Sequence, residues 1–131
     1  MKRIISLSIL LSVVLSAGCA QSNKFNFASL MGVNVDDLRA ARATGEKKTI
    51  PLSYSDAYDK AKVLVKEHSL TVLRTSKAGR YIVVIGIPKQ VNTTRVGIFF
   101  EPVTDKSTKV TLSSLSDTAL AKAKEMVFDK M

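Results

Sequence analysis

The stretch "RYIVVIGI", residues 80–87, is apolar on both of its faces: Tyr81, Val83, Ile85 and Ile87 alternate with Ile82, Val84 and Gly86. Side chains of a strand point to opposite faces in turn, so a run apolar on both belongs inside a sheet and is covered above and below. Three further strand-like runs surround it. "LTVLRT" (70–75) precedes it. "TTRVGIFFEP" (93–102) sets Val96, Ile98 and Phe100 on one face, and "KVTLSSL" (109–115) alternates through Val110 and Leu112. The connections "SKAG", "PKQVN" and "VTDKST" are short, and short connections make antiparallel hairpins, because parallel pairing needs a crossover of about a dozen residues. Gly79 is placed for a positive-φ turn position.

An earlier run, "KTIPLSY" (48–54), puts Ile50, Leu52 and Tyr54 on one side and reads as a short strand. Pro51 has no backbone donor, so this strand belongs at a sheet edge. Ser55 is placed to cap a helix over 56–68, where Ala57, Ala61, Leu64, Val65 and His68 form an apolar stripe. A second amphipathic helix over 117–130 starts from Ser116 and carries Leu120, Ala123, Val127 and Met131 along one face. Upstream, "NVDDLRAARATG" predicts a short helix with Asn34 as its cap and Gly45 as its stop. The expected fold is α+β: an antiparallel β-sheet of about 4–5 strands packed with two amphipathic helices, in the order β-α-β-β-β-β-α. It is expected as a single domain over 47–131, behind a segment, 19–46, that holds a tether and the short helix.

The N-terminus carries a different message. Lys2 and Arg3 precede a 14-residue uncharged stretch, Ile4 to Ala17, which closes on the small residues Ser16, Ala17 and Gly18. These are the parts of a secretory signal, and the stretch is short of the roughly 20 residues that span a bilayer. The one cysteine of the chain, Cys19, follows at once. In an exported protein a lone cysteine is otherwise a free thiol in an oxidising compartment. "LSAGC" resembles the bacterial lipobox, with Leu15 one place further upstream than in the commonest form and Ser16 in its slot. The resemblance implies cleavage between Gly18 and Cys19, so that residues 1–18 are a lipoprotein signal peptide. It implies a diacylglycerol-derived group on the Cys19 sulfur, with fatty chains such as palmitate and a further chain on the new α-amino group. At roughly 0.8 kcal/mol per buried methylene, two or three chains hold almost permanently. The resemblance also favours the outer over the inner membrane, facing the periplasm, because Ala20 is not the aspartate associated with inner-membrane retention. Residues 20–34 read as a tether that reaches about 50 Å when extended. Its Phe25, Phe27, Leu30 and Met31 are expected to dock on the domain, with insertion into the membrane interface as the alternative.

The chain is basic, with net charge +9; loss of residues 1–18 removes Lys2 and Arg3 and leaves 18 basic against 11 acidic residues, or +7. Such a surface favours anionic partners, which in an envelope are lipid phosphates, lipopolysaccharide or peptidoglycan carboxylates. The basic residues are scattered, though, with no run longer than Lys47-Lys48, and the plainer reading is a solvated, soluble surface. No nucleic acid is expected, although Tyr81, Phe99 and Phe100 with Arg80 and Arg95 make a combination that stacking platforms use. Chemistry is sparse. His68 is the sole histidine and has neither the neighbours of a metal ligand nor the nucleophile and orienting group of a general base. It is expected partly buried at a helix end. Glu67, Glu101 and Asp105 have no acid–base spacing, and Gly79, Gly86 and Gly97 make no phosphate-cradling loop; Gly86 and Gly97 are expected inside strands, at a bulge or a close approach. No catalytic residue, metal site or cofactor is expected.

The segments "YSDAYDKAKVLVKEHSLTV" and "GIFFEPVTDKSTKVTLSSLSDTALAKAKEM", behind a lipobox and a tether, resemble small bacterial envelope lipoproteins of unknown function over residues 48–131. More remotely, the element order is similar to the helix-grip domains of the BamC lipoprotein of the β-barrel assembly machinery. The resemblance bears on fold and location and by itself assigns no function. The anchor, the tether and the missing catalytic set point to a membrane-anchored, non-enzymatic binding or scaffold domain for an envelope protein complex, the cell wall or an anionic glycolipid. The alternative is a small-ligand carrier or sensor with a cavity between helices and sheet.

Overall fold

The computed structural model describes residues 35–91 and 94–131; the expected signal segment 1–18, Cys19 and the expected tether 20–34 lie outside the described residues. A short helix α1 (Val35–Ala40) runs into a 3-10 turn (Ala41–Thr44) and then into β1 (Glu46–Ile50). Helix α2 (Tyr54–Glu67) follows. The strands β2 (Thr71–Ser76), β3 (Tyr81–Ile85), β4 (Val96–Thr104) and β5 (Ser107–Ser113) form a meander, and helix α3 (Asp117–Phe128) ends the fold. The fold is α+β, one antiparallel sheet in the order β1-β5-β4-β3-β2. Four antiparallel steps separate β1 from β2, so these edge strands run parallel to each other. The link between them is therefore a crossover, and α2 supplies it.

The doubly apolar run sits in the interior of the sheet, between β2 and β4. Ile82 and Val84 face α2 and α3 in the main core, together with Val96, Ile98, Phe100, Val110, Leu112 and Ile50. Val83 faces the other way and packs with Phe99 under Leu38 of α1. Both faces of β3 are thus covered, the inner one by two long helices and the outer one by a single short helix. Each wholly buried aliphatic side chain contributes about 1.5–3 kcal/mol relative to exposure. The space between helices and sheet is filled from the helix side by Ala57, Ala61, Val65, Leu120, Ala123, Met126, Val127 and Phe128.

Several local expectations are corrected. β1 occupies an edge, but it stops at Ile50, the last residue paired with β5, and Pro51 ends the ladder because it has no N–H to give. Leu52 and Tyr54 are consequently not strand residues. The cap of α2 is Ser53, whose Oγ accepts from the Asp56 N–H at 3.2 Å, while Ser55 lies within the first turn. At the β2–β3 turn the positive φ belongs to Arg80 (60°) and not to Gly79. Arg80 takes that conformation to turn its carbonyl toward the Phe100 N–H, 2.9 Å away. Gly79 is small for another reason: a Cβ there would lie 2.8 Å from both Ser76 Oγ and the Tyr81 ring. Gly86, with φ +88°, lies just beyond β3, where it lets Ile87 return to the core. The turn "VTDKST" is tighter than expected, since only Asp105 and Lys106 separate β4 from β5. Ser116 caps α3 as expected, accepting from the Ala119 N–H at 3.3 Å, and the helix ends at Phe128.

Candidate functional site

Leu38 decides the geometry of the outer face. It is 0 % exposed and plugs α1 onto Val83 and Phe99. Three features fix this contact. The Ser113 hydroxyl donates to the Leu38 carbonyl at 2.8 Å. Gly45 lets the chain after the 3-10 turn pass close over β5, because a Cβ there would lie 2.3 Å from the Leu112 carbonyl oxygen. Gly97 makes room for the Phe99 ring, which a Cβ would approach to 2.5 Å. Gly45 is extended (φ −74°, ψ 167°), so it is required for closeness and not as a left-handed stop.

With α1 seated, Arg39 of that helix and Arg42 of the 3-10 turn stack on the sheet aromatics. The Arg39 guanidinium lies 5.2 Å from the Tyr81 ring centre, and Arg42 lies 5.0 Å from that of Phe99. Guanidinium groups stack well on aromatic faces, so both are held in place without losing their charge. Beside them lies a groove of about 350 Å³ lined by Arg39, Arg42, Lys47, Lys109 and Glu101, with Ala40, Ala43 and Thr111 as its apolar floor and wall. Four cations and one carboxylate therefore meet on one surface, contributed by α1, the 3-10 turn, β1, β4 and β5.

The charges are not equally engaged. Arg39 pairs with Asp36 at 2.9 Å and Lys109 with Glu101 at 3.0 Å. Glu101 is held below its ordinary value, first by the hydrogen bond and charge of Lys109, then by the more distant Arg42 and Arg80. Arg42 gives its Nε–H to the Arg39 carbonyl (3.2 Å), and the Lys47 ammonium reaches the Ala43 carbonyl (3.5 Å). Neither has a carboxylate at ion-pair distance among the described residues. The groove thus carries two cations whose charge is turned toward solvent, with an internal carboxylate already occupying a third.

The other residues singled out in the sequence fall elsewhere. Tyr81 and Phe99 are on the outer face, but their cationic partners are Arg39 and Arg42, not Arg80 or Arg95. Phe100 is on the opposite face, in a core cluster with Tyr54 and Tyr58. The stacking platform is therefore split between two faces. Arg80 lies over Tyr54, where burial is the main cause that raises the phenol above its ordinary value. His68 is the half-buried C-cap of α2. Glu67, Glu101 and Asp105 are not brought together as a catalytic pair, and no group of three metal-ligating side chains occurs among the described residues. Among these residues no helix is long and apolar enough to cross a membrane. Cys19 and Gly18 fall outside the described residues.

Sequence reasoning missed the groove because its cations are scattered over positions 39, 42, 47 and 109 and converge only through α1 and the β1–β5–β4 pairing. The available signal was the spacing of Arg39 and Arg42, which puts both on one side of a short helix. No protein-family model matches the chain, and no curated protein matches it.

Proposed function

We propose that this protein is a lipid-anchored envelope protein: Cys19 is acylated after removal of residues 1–18, and the domain behind it works as a non-enzymatic binding module at the membrane surface. The single observation that carries this reading is the sequence "LSAGC" at the end of a charged-then-apolar leader, where the chain places its one cysteine. The cationic groove supports a binding role, because it offers an anion-complementary surface at the end of the fold that the tether joins. The outer membrane, with the domain facing the periplasm, is the proposed location. An envelope complex, peptidoglycan and lipopolysaccharide are the candidate partners.

The test is metabolic labelling with a fatty acid, followed by mass spectrometry of the N-terminal peptide. Label and lipid mass on Cys19 are expected, together with loss of both, and release from the membrane fraction, in Cys19→Ser. An unmodified Cys19 thiol in protein from the native host refutes the reading.

A further inference from the structure

We infer that the groove between α1 and strands β1, β5 and β4 is a docking site for the phosphate-bearing headgroups of the bilayer that carries the anchor, so that the outer sheet face lies against the membrane. This rests on the proposed acylation of Cys19 and adds to it an orientation and a ligand chemistry.

Two independent observations lead to it. One is charge. Arg42 and Lys47 have no carboxylate partner at ion-pair distance among the described residues, while Arg39 and Lys109 line the same groove. The Glu101 carboxylate accepts from Lys109 at 3.0 Å in the place an anionic oxygen would take, and at 66 % exposure it can swing away when a phosphate competes. A phosphodiester presents the charge and the acceptor oxygens that a guanidinium fork and two ammonium groups match.

The other is connectivity. The tether leads straight into Val35, the first residue of α1, and the groove arginines lie four and seven residues further on. The surface nearest in sequence to the anchored cysteine is therefore the cationic one. The 15-residue tether is long enough to let other faces reach the bilayer too, and the charge of the groove is what selects among them.

The experiment uses the mature lipoprotein purified with its native N-terminus and reconstituted into vesicles of phosphatidylcholine, alone or mixed with phosphatidylglycerol. Two single-cysteine variants carry a fluorescent donor: Thr49→Cys, on the outer face of exposed β1, and Asp59→Cys, on exposed α2. The acylated Cys19 sulfur is a thioether and does not react with the dye. Energy transfer to a headgroup-labelled lipid reads which face lies on the membrane. On vesicles containing phosphatidylglycerol, transfer is expected to be greater from position 49 than from 59. The difference should shrink on phosphatidylcholine alone and at high salt.

Reversing Arg42→Glu, or Lys47→Glu as a variant that leaves the Phe99 stack untouched, is expected to shift the ratio of docked to undocked orientations about thirtyfold, at roughly 1 kcal/mol per charge near an anionic surface. Equal transfer from both positions on phosphatidylglycerol, with lipid on Cys19 verified by mass, overturns the docking and leaves the anchor standing. Protein without lipid on Cys19 overturns both. If inorganic phosphate abolishes the asymmetry at an ionic strength where chloride does not, the groove recognises phosphate oxygens and the headgroup assignment is supported.

Discussion

Truncating Leu38 to alanine separates two ways in which the outer helix can be held. Leu38 is the one buried residue of α1 and, with the partly buried Val35 beside it, supplies the apolar contact of the element with Val83 and Phe99. Leucine-to-alanine changes at fully buried positions cost about 2–5 kcal/mol, depending on how far the site collapses. Collapse is restricted here, because Gly45 already touches the Leu112 carbonyl and Ser113 holds the Leu38 carbonyl from below. The relief available is detachment of α1, which leaves the inner core intact. The expected loss is therefore local: amide exchange over residues 38–45 accelerates at least about thirtyfold, the equivalent of roughly 2 kcal/mol of opening free energy. Protection in β4 and β5 should fall by much less. Hydrogen exchange with mass-spectrometric readout resolves the two segments, and Leu112→Ala, in the main core, serves as the comparison that lowers protection throughout. If Leu38→Ala weakens every segment equally, α1 belongs to the global cooperative unit and the local-opening argument fails. If it weakens none, Leu38 does not hold the helix.

Gly97→Ala forces a Cβ to within 2.5 Å of the Phe99 ring. Overpacking of this kind costs about 1–3 kcal/mol in urea unfolding, and Phe99→Leu in the same chain should recover part of it. Ser53→Ala should cost about 1 kcal/mol through loss of the α2 cap, whereas Ser55→Ala should change stability by a few tenths at most. Equal effects of the two would move the cap back to Ser55. Burial, then the nearby Tyr58, raises the Tyr54 phenol above its ordinary value of 10.0, with Arg80 opposing. The neutral phenol is the form the fold favours, so its contribution is fully present below about pH 10 and is lost as pH rises through the higher folded value. Tyr54→Phe should remove that alkaline component from a stability-versus-pH curve, and an unchanged curve refutes it.

The sequence made the layers of this fold legible wherever a single local property decided them. Residues 80–87 had to be covered twice because both of their faces are apolar, and they are, Ile82 and Val84 by α2 and α3 and Val83 by Leu38 of α1. Hairpins followed from short connections. Ser116 was readable as a cap because the helix pattern begins immediately after it. Failures occurred where two local signals competed. Alternation through Leu52 and Tyr54 extended β1 on paper, but a missing N–H at Pro51 outweighs it, and Tyr54 then starts the helix. Gly79 looked like the left-handed residue, whereas the demand for a carbonyl aimed at Phe100 put that conformation on Arg80. The groove was illegible for a different reason. Arg39, Arg42, Lys47 and Lys109 are separated by up to 70 residues in the chain, and only the β1–β5 pairing, with Thr49 opposite Lys109, sets them side by side.

The groove is weak by the standards of a site that must capture a ligand from solution, and the proposed acyl anchor would make that weakness sufficient. Two unbalanced cations near an anionic surface contribute on the order of 2 kcal/mol, far from the roughly 8 kcal/mol of a micromolar complex. The proposed acyl chains would change the problem, because a domain leashed to the bilayer meets its headgroups at an effective concentration set by the linker. Two kilocalories then need only to choose between orientations, not to hold the protein, and they bias that choice by a factor of about thirty. Attachment and orientation consequently answer to different variables. Salt at about 1 M, where the screening length falls to roughly 3 Å, should release the outer face from the membrane while every molecule stays bound. Loss of the acyl chains should release the protein even at low salt, with the groove unaltered. If salt alone elutes the acylated protein, the acyl chains are not what holds it, and attachment and orientation are not separate.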